Sequence, residues 1–292
     1  RRPEGFSLTV ISTIAFTWSL FQLWIASPLP FILAEHFPFF KLFVLDATKS
    51  RYIHLTFAFL VAYLAYPATS RSPKTYIPIT DWAIASIAAF STLYLLFFYT
   101  DLSSRAGIPT QSDIVISMIG LVLLLEATRR SLGLPLLIIA SIFLFYTYFG
   151  QYAPDVIQHK GHNLSKIASH QWLSTEGVFG IALGVSSGFV FLFVLFGSML
   201  DKAGAGNYFI RVAFALLGHM RGGPAKAAVL SSAMTGVISG SSIANVVTTG
   251  TFTIPLMRKV GFTAEKAGSI EVASSVNGQI MPPVMGAAAF LM

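Results

Sequence analysis

Cysteine is absent from this sequence, which excludes disulfides, thiolate metal sites and cysteine nucleophiles. Charge is scarce as well. Asp, Glu, Lys and Arg make up 11% of the 292 residues, against about 25% in an ordinary soluble domain. The chain is 54% hydrophobic and 14% aromatic, with a mean hydropathy of +0.71. A water-soluble fold of this size has too little interior to hide so much apolar surface. The same numbers exclude disorder, collagen and coiled coil. What remains is an all-α integral membrane protein with several spans. The charge that is present is lopsided, 19 Lys and Arg against 12 Asp and Glu, for a net +7. In a membrane protein such an excess marks cytoplasmic loops rather than nucleic-acid binding.

Stretches free of Asp, Glu, Lys and Arg run 5–34, 52–70, 82–100, 114–125, 131–154, 177–200, 227–257 and 272–292. Six read as plain crossings, centred on Phe16, Phe59, Ala89, Leu121, Ile142 and Leu192, with Asp113 and Glu126 near the two interfaces of the fourth. Trp18, Trp24, Trp82 and Trp172 fall near span ends, where indole rings favour the headgroup level. With the N-terminus inside, the larger share of Lys and Arg falls on the cytoplasmic side, so the chain is expected to start in the cytoplasm. The first apolar run is too long for a cleavable signal peptide. The chain opens on Arg1 and stops inside an apolar segment, which reads as a piece of a longer polypeptide.

Residues 1–130 form four ordinary spans with short loops, and Arg129, Arg130 and Gly133 mark a boundary. The stretch 151–178 is less apolar. Its His159, His162 and His170 have a poor zinc spacing, and Leu164–Leu173 is expected to lie flat as an interfacial helix. Segment 204–220 is amphipathic, with Phe209, Val212, Ala213, Leu216 and Leu217 at helical spacing, and reads as an arm on the membrane surface.

Residues 222–260 are long enough to cross once, yet their middle is rich in Gly, Ser, Thr and Asn. Lys226 lies at one end and Arg258 and Lys259 at the other, so a hairpin that enters and leaves on the cytoplasmic side fits the charge rule better than one crossing. Its turn is expected at 239–242. A second break follows at Asn277–Pro283, where Pro282 and Pro283 remove backbone donors and leave upstream carbonyls without partners. Broken backbone at membrane depth is tolerated only where protein, water or a ligand covers it. A re-entrant tip beside a broken helix is the pointer to a transporter's ion and substrate site. Hydroxyls and carbonyls suit Na⁺ as coupling ion, and half-helix N-termini suit a carboxylate. Close helix packing is the plainer alternative for small residues of this kind.

Residues 186–292 resemble the start of the large membrane subunit of TRAP (tripartite ATP-independent periplasmic) transporters. The matching runs are Gly197–Lys202 (GSMLDK), Leu217–Gly223 (LGHMRGG), Gly236–Asn245 (GVISGSSIAN), Ile254–Gly261 (IPLMRKVG) and Gly278–Pro283 (GQIMPP). Residues 131–203 fit as scaffold helices and an interfacial arm, 204–292 as the arm helix, re-entrant hairpin and broken helix of a transport domain, and 1–130 as a small four-helix subunit fused in front. The wording GQIMPPVMGAAAF resembles the fused permeases that work with TAXI-type binding proteins.

The resemblance implies an elevator transporter in the bacterial inner membrane, surrounded by lipid. It would import organic acids, usually carboxylates, with a Na⁺ gradient from a periplasmic binding protein, and involve no nucleic acid and no organic cofactor. Carried onto matching positions, it implies Na⁺ ligands at Ser239, Asn245 and the carbonyls of Gly278, Met281 and Pro283. Many relatives carry Asp where this chain has Asn245, so proton coupling stays open. Ser241, Ser242, Asn277 and Gln279 are the candidates for donating hydrogen bonds to a carboxylate. Glu271 is either a functional intramembrane carboxylate or the partner of Lys266 at the interface. The competing classes are an intramembrane serine hydrolase, with His54 or His219 as base to Ser239, Ser241 or Ser242, a non-catalytic assembly subunit, and a passive channel.

Overall fold

The computed structural model describes residues 1–292 apart from 2, 70, 106, 283, 287, 288 and 290–292. Every described element is helical. Five helices are long and apolar enough to cross a bilayer, Gly5–Ala26, Ile79–Phe97, Gln111–Leu132, Leu134–Tyr152 and Ile181–Lys202, each of 19 to 22 residues. At about 1.5 Å per residue they match the roughly 30 Å of a hydrocarbon core. The expected crossing around Phe59 also forms, as the 19-residue helix Ala47–Ala65, but it is not among the five. It carries Lys49 and Arg51 and buries the polar Ser50, His54 and Thr56 against its neighbours.

The chain divides into two compact units, Arg1–Gly184 and Val185–Met292. The first contains α1 (Gly5–Ala26), α2 (Leu29–His36), α3 (Ala47–Ala65), α4 (Ile79–Phe97), α5 (Tyr99–Ser104), α6 (Gln111–Leu132), α7 (Leu134–Phe149) and α8 (Leu164–Ala168), and ends in α9 (Ile181–Val185). Helix starts are written in the sequence. Asp46 accepts the Lys49 amide at 2.8 Å to cap α3, and Thr110 with Asp113 forms a capping box on α6. Gly133, at φ +89°, ends α6, and Pro135 then starts α7.

Charged side chains pin the helix ends together. Asp81, in the first turn of α4, takes Arg130 from the last turn of α6 at 2.9 Å and also contacts Arg1. Glu126 holds Arg129 at 2.7 Å and Arg130 at 2.8 Å. An acid at a helix start facing bases at a helix end is the arrangement that the helix dipole favours. At the opposite end of α6, Asp113 is buried and accepts from Tyr94 at 2.7 Å and Arg105 at 3.0 Å. Asp113 and Glu126 therefore do mark the two ends of this span.

Two expectations fail in this unit. Leu164–Leu173 does not lie flat at an interface. It forms α8 and a π-helical turn, Ser169–Leu173, that place Ile167, Ala168 and Trp172 in the core. Trp172 is 0% exposed rather than at headgroup level. Its ring stacks on Phe59 with centroids 6.4 Å apart and meets Phe179 edge-on at 5.2 Å. Trp172 and Phe179 belong to the same buried core as Phe59 and Leu121, and the compact unit runs on to Gly184.

The second unit contains a π-helical stretch, Ser186–Val190, followed by α10 (Phe191–Lys202), α11 (Ala205–Leu217), α12 (Gly223–Ser239), α13 (Ser242–Lys259) and α14 (Ala264–Ser275). α11 is amphipathic as expected, but its buried Gly206, Ile210 and Ala213 face protein, with α11 packed on α12. α12 and α13 form an antiparallel hairpin, and α14 packs back on both. Ala228 of α12, Met257 of α13 and Ala267 of α14 meet in a small apolar cluster at the hairpin's open end.

Gly120 of α6 is what admits the indole, since a Cβ there would lie 2.3 Å from the Trp172 ring. Gly120→Ala is expected to destabilise the protein by about 1–3 kcal/mol through overpacking, and Trp172→Leu in the same chain should restore part of the loss. Thermal unfolding in detergent checks this, and an unchanged midpoint for Gly120→Ala would contradict the packing.

Candidate functional site

The tip of the hairpin is built from two small residues. Gly240, at φ +59°, ends α12 in the left-handed conformation, where glycine meets no Cβ penalty. Ser241 then starts α13, its hydroxyl accepting the Ala244 amide at 3.3 Å. The expected turn at 239–242 is thus a C-cap followed directly by an N-cap, and the helix start that it exposes is polar.

The second break lies beside it. α14 stops at Ser275 and gives way to a 3₁₀ turn, Val276–Gln279. The Asn277 carbonyl accepts the Ile280 and Met281 amides at 3.1 and 2.9 Å, the Gln279 carbonyl accepts Gly286 at 2.8 Å, and the Met281 carbonyl accepts Met285 at 3.3 Å. Of the two carbonyls that Pro282 and Pro283 leave without their helical donors, Gly278 and Gln279, that of Gln279 is taken by the Gly286 amide. Met281, expected as an ion ligand through its carbonyl, keeps only a second lone pair for that purpose. Pro283 lies outside the described residues.

Tip and break touch through glycine. A Cβ on Gly236 would come within 2.9 Å of the Gly278 Cα, and a Cβ on Gly278 would lie 3.3 Å from both the Ser239 hydroxyl and the Ser241 carbonyl. Gln279 Nε2 donates to Ser242 Oγ at 2.9 Å. Ser239, Ser241, Ser242, Gly278 and Gln279 are therefore brought together, with Asn277 half-buried next to them. Beneath Ser239 a cavity of about 220 Å³ extends to Asp201 of α10, lined also by Ser198, Thr235 and Thr248.

Asn245 sits deeper. It is fully buried, and its Nδ2 donates to the Ser232 carbonyl at 2.8 Å, two turns along α12 from Ser239. Its Oδ1 has no partner, and neither does the buried hydroxyl of Thr235. Two orphaned buried oxygens on facing arms of a hairpin are costly, and hydroxyl and amide oxygens are hard donors of the kind that a small cation accepts. Thr235 escapes a reading of the sequence because a lone Thr on a small-residue helix carries no signal of its own.

Below Asn245 the hairpin and α14 share a polar network. Ser232 and Ser275 hydroxyls are 3.0 Å apart, Ser275 donates to Glu271 at 3.3 Å, and Thr249 and Thr253 hydroxyls contact the same carboxyl group. Glu271 does not pair with Lys266, which is exposed while Glu271 is fully buried. Lys266 belongs to the first turn of α14, on a different face of the helix. Thr249 and Thr253 lie one turn apart on α13 and so present both hydroxyls to the one carboxyl group on α14.

The serines have structural partners. Ser239 donates to the Ser241 carbonyl at 3.3 Å, Ser241 caps α13, and Ser242 receives Gln279. Among the described residues no His or carboxylate is hydrogen-bonded to any of the three. His54 is engaged by Trp18 and Gln22, and His219 is exposed.

A family model described as "Tripartite ATP-independent periplasmic transporter, DctM component" matches residues 119–292, which include the hairpin and the break. Over 91 residues the chain is 34% identical to the C4-dicarboxylate TRAP transporter large permease protein DctM of Rhodobacter capsulatus, covering 31% of this chain and 21% of that protein. It is 30% identical over 95 residues to the ectoine TRAP transporter large permease protein TeaC of Halomonas elongata, covering 32% of this chain and 22% of that protein. It is 24% identical over 217 residues to the sialic acid TRAP transporter permease protein SiaT of Haemophilus influenzae, covering 73% of this chain and 32% of that protein. The chain thus spans about a fifth to a third of the length of these curated relatives. No solved structure matches it. On the strength of a match over more than half its length, this chain belongs to the DctM component family of tripartite ATP-independent periplasmic transporters.

Proposed function

We propose that the chain is part of the membrane permease of a secondary transporter that takes organic acids, with carboxylates first among them, from a periplasmic binding protein and imports them with Na⁺. The observation that carries this reading is the meeting of hairpin tip and broken segment at Ser239 and Gly278, inside the region that matches the family. A substrate site at such a place uses two short helix ends and small polar side chains. Relatives named for C4-dicarboxylate and sialic acid support an acidic substrate, although the ectoine relative widens the range.

Na⁺ is supported by donor chemistry. Ser239, the Gly278 and Met281 carbonyls and Asn245 offer hard oxygens, as does Pro283 by its place in the sequence, and Thr235 adds a hydroxyl with no other partner. Bound there, Na⁺ would neutralise these dipoles and tie α12 to the 3₁₀ turn. Ser241, Ser242, Asn277 and Gln279 would then hold the carboxylate at the start of α13, where the helix dipole favours an anion.

An elevator movement of the hairpin unit, a TAXI-type binding protein as partner and a cytoplasmic N-terminus in the bacterial inner membrane complete the reading. The SiaT match is longer than the family match and so reaches into the α1–α6 region. Residues 1–130 are, in this reading, a small-subunit-like part fused ahead of the permease.

Ser239→Ala and Asn245→Ala are each expected to abolish Na⁺-dependent uptake by the intact permease reconstituted with its binding protein. Unchanged Na⁺ dependence in both variants would remove the ion-site assignment. Single cysteines placed at Lys226 and Lys259, in the intact permease with any other thiols replaced, give a topology test. Both should react with an impermeant maleimide from the cytoplasmic side alone, and labelling from opposite sides would rule out a re-entrant hairpin.

A further inference from the structure

The buried carboxyl group of Glu271 has no role in the tip site, and its surroundings are specific. It is 0% exposed, on α14 against α13. Gly250 makes room for it, since a Cβ there would stand 3.2 Å from Glu271 Cγ. Thr249 and Ser275 hydroxyls reach Oε1, and the Thr253 hydroxyl reaches Oε2.

No fixed positive charge compensates it. Among the described residues, the charged groups on the elements packed around it are Lys226 of α12, Arg258 and Lys259 of α13, and Glu265 and Lys266 of α14. All five are exposed at the helix ends, and none forms an ion pair with Glu271. An ionised carboxylate in such a place is expensive, and a buried intramembrane carboxyl is a functional candidate by default.

The hydroxyls around it are arranged to serve two states. Thr249 Oγ1 also lies 2.8 Å from the Asn245 carbonyl, and Thr253 Oγ1 lies 3.0 Å from the Thr249 carbonyl. Each hydroxyl has one hydrogen and two acceptors within reach. With Glu271 ionised, Thr249, Thr253 and Ser275 can all donate to it. With Glu271 protonated, its own O–H donates to one threonine oxygen, and that threonine turns its hydrogen back to the helix carbonyl. Neither state leaves a polar atom of the cluster without a partner, and the hydroxyls lie directly against the carboxyl, leaving no room between them for a metal ion.

We propose that Glu271 is a reversible proton-binding site of the hairpin unit. A proton from water adds to one carboxylate oxygen, forming the neutral acid, and leaves by the reverse step, with no other bond made or broken. The acceptor that the Thr249 hydroxyl serves in the protonated state is the carbonyl of Asn245, whose side chain anchors α13 to α12 at Ser232. Proton binding is thereby linked to the hairpin itself, and, resting on the transport reading above, this makes the proton a coupling ion alongside the tip site.

Infrared difference spectroscopy on the reconstituted, unaltered permease tests the proton site without relying on transport. A carboxylic acid C=O band should appear as pH is lowered and be missing in Glu271→Gln, an isosteric variant whose folding is checked by gel filtration. Replacing both threonines, Thr249→Val and Thr253→Val, removes hydroxyl partners of the carboxyl group, so the C=O band should move to a different frequency. A band that is identical in Glu271→Gln overturns the proposal. In uptake, collapsing the pH gradient should slow the unaltered permease, and Glu271→Gln should have lost that response. A pH-gradient response retained in Glu271→Gln overturns the coupling role, whereas failure of the Na⁺ and Ser239→Ala results would strike the tip-site reading instead.

Discussion

Every feature of the second unit follows from the cost of leaving a backbone or polar group unpaired where no water can reach it. A chain interrupted inside apolar surroundings must replace the hydrogen bonds that it loses. At the hairpin tip, Gly240 closes one helix and Ser241 opens the next. At the second break, a 3₁₀ turn ends α14, and the Gly286 amide returns to the Gln279 carbonyl. Below the tip, a ring of contacts runs from Asn245 through Ser232, Ser275, Glu271 and Thr249 back to Asn245 and joins three helices. The two orphaned oxygens, on Thr235 and Asn245, stand out because their surroundings are otherwise so completely paired.

The first unit answers the same constraint differently. Its helices are mostly regular, and their outward faces carry Phe6, Phe16, Ile138 and Phe143, which suit lipid. Its polar groups are gathered at helix ends, where Asp81, Arg130 and Glu126 pair with one another and Asp113 pairs with Arg105. The ordinary rules of helix caps and dipoles hold there, with Thr110 and Asp113 capping α6 and Asp46 capping α3.

Much of this was legible in the chain. Long uncharged runs gave the helices, paired cationic ends of 222–260 gave the hairpin, and Gly240 with Ser241 gave the position of its turn. What escaped were contacts between distant residues. Trp172 read as an interfacial anchor because its own neighbourhood is polar, and the gap left by Gly120 that receives it lies 52 positions earlier in the sequence. Glu271 was ambiguous for the same reason. Lys266 is near in sequence, while the threonines that hold it belong to another helix. Asn245 was grouped with Ser239 by motif, but the fold turns its side chain toward Ser232, leaving its free oxygen one level beneath the tip.

The central claim is that the chain reverses direction inside the bilayer at residues 240–241. Ile243, exposed and one residue into α13, offers a position that a label can occupy without touching Ser241 or Gly278. The depth of a nitroxide at Ile243→Cys, measured by power saturation against oxygen and a water-soluble nickel complex in liposomes, reads this directly. The account predicts a position within the hydrocarbon, with labels at Lys226 and Lys259 both at one surface. A label at Ile243 that sits in the aqueous phase on the far side would contradict it.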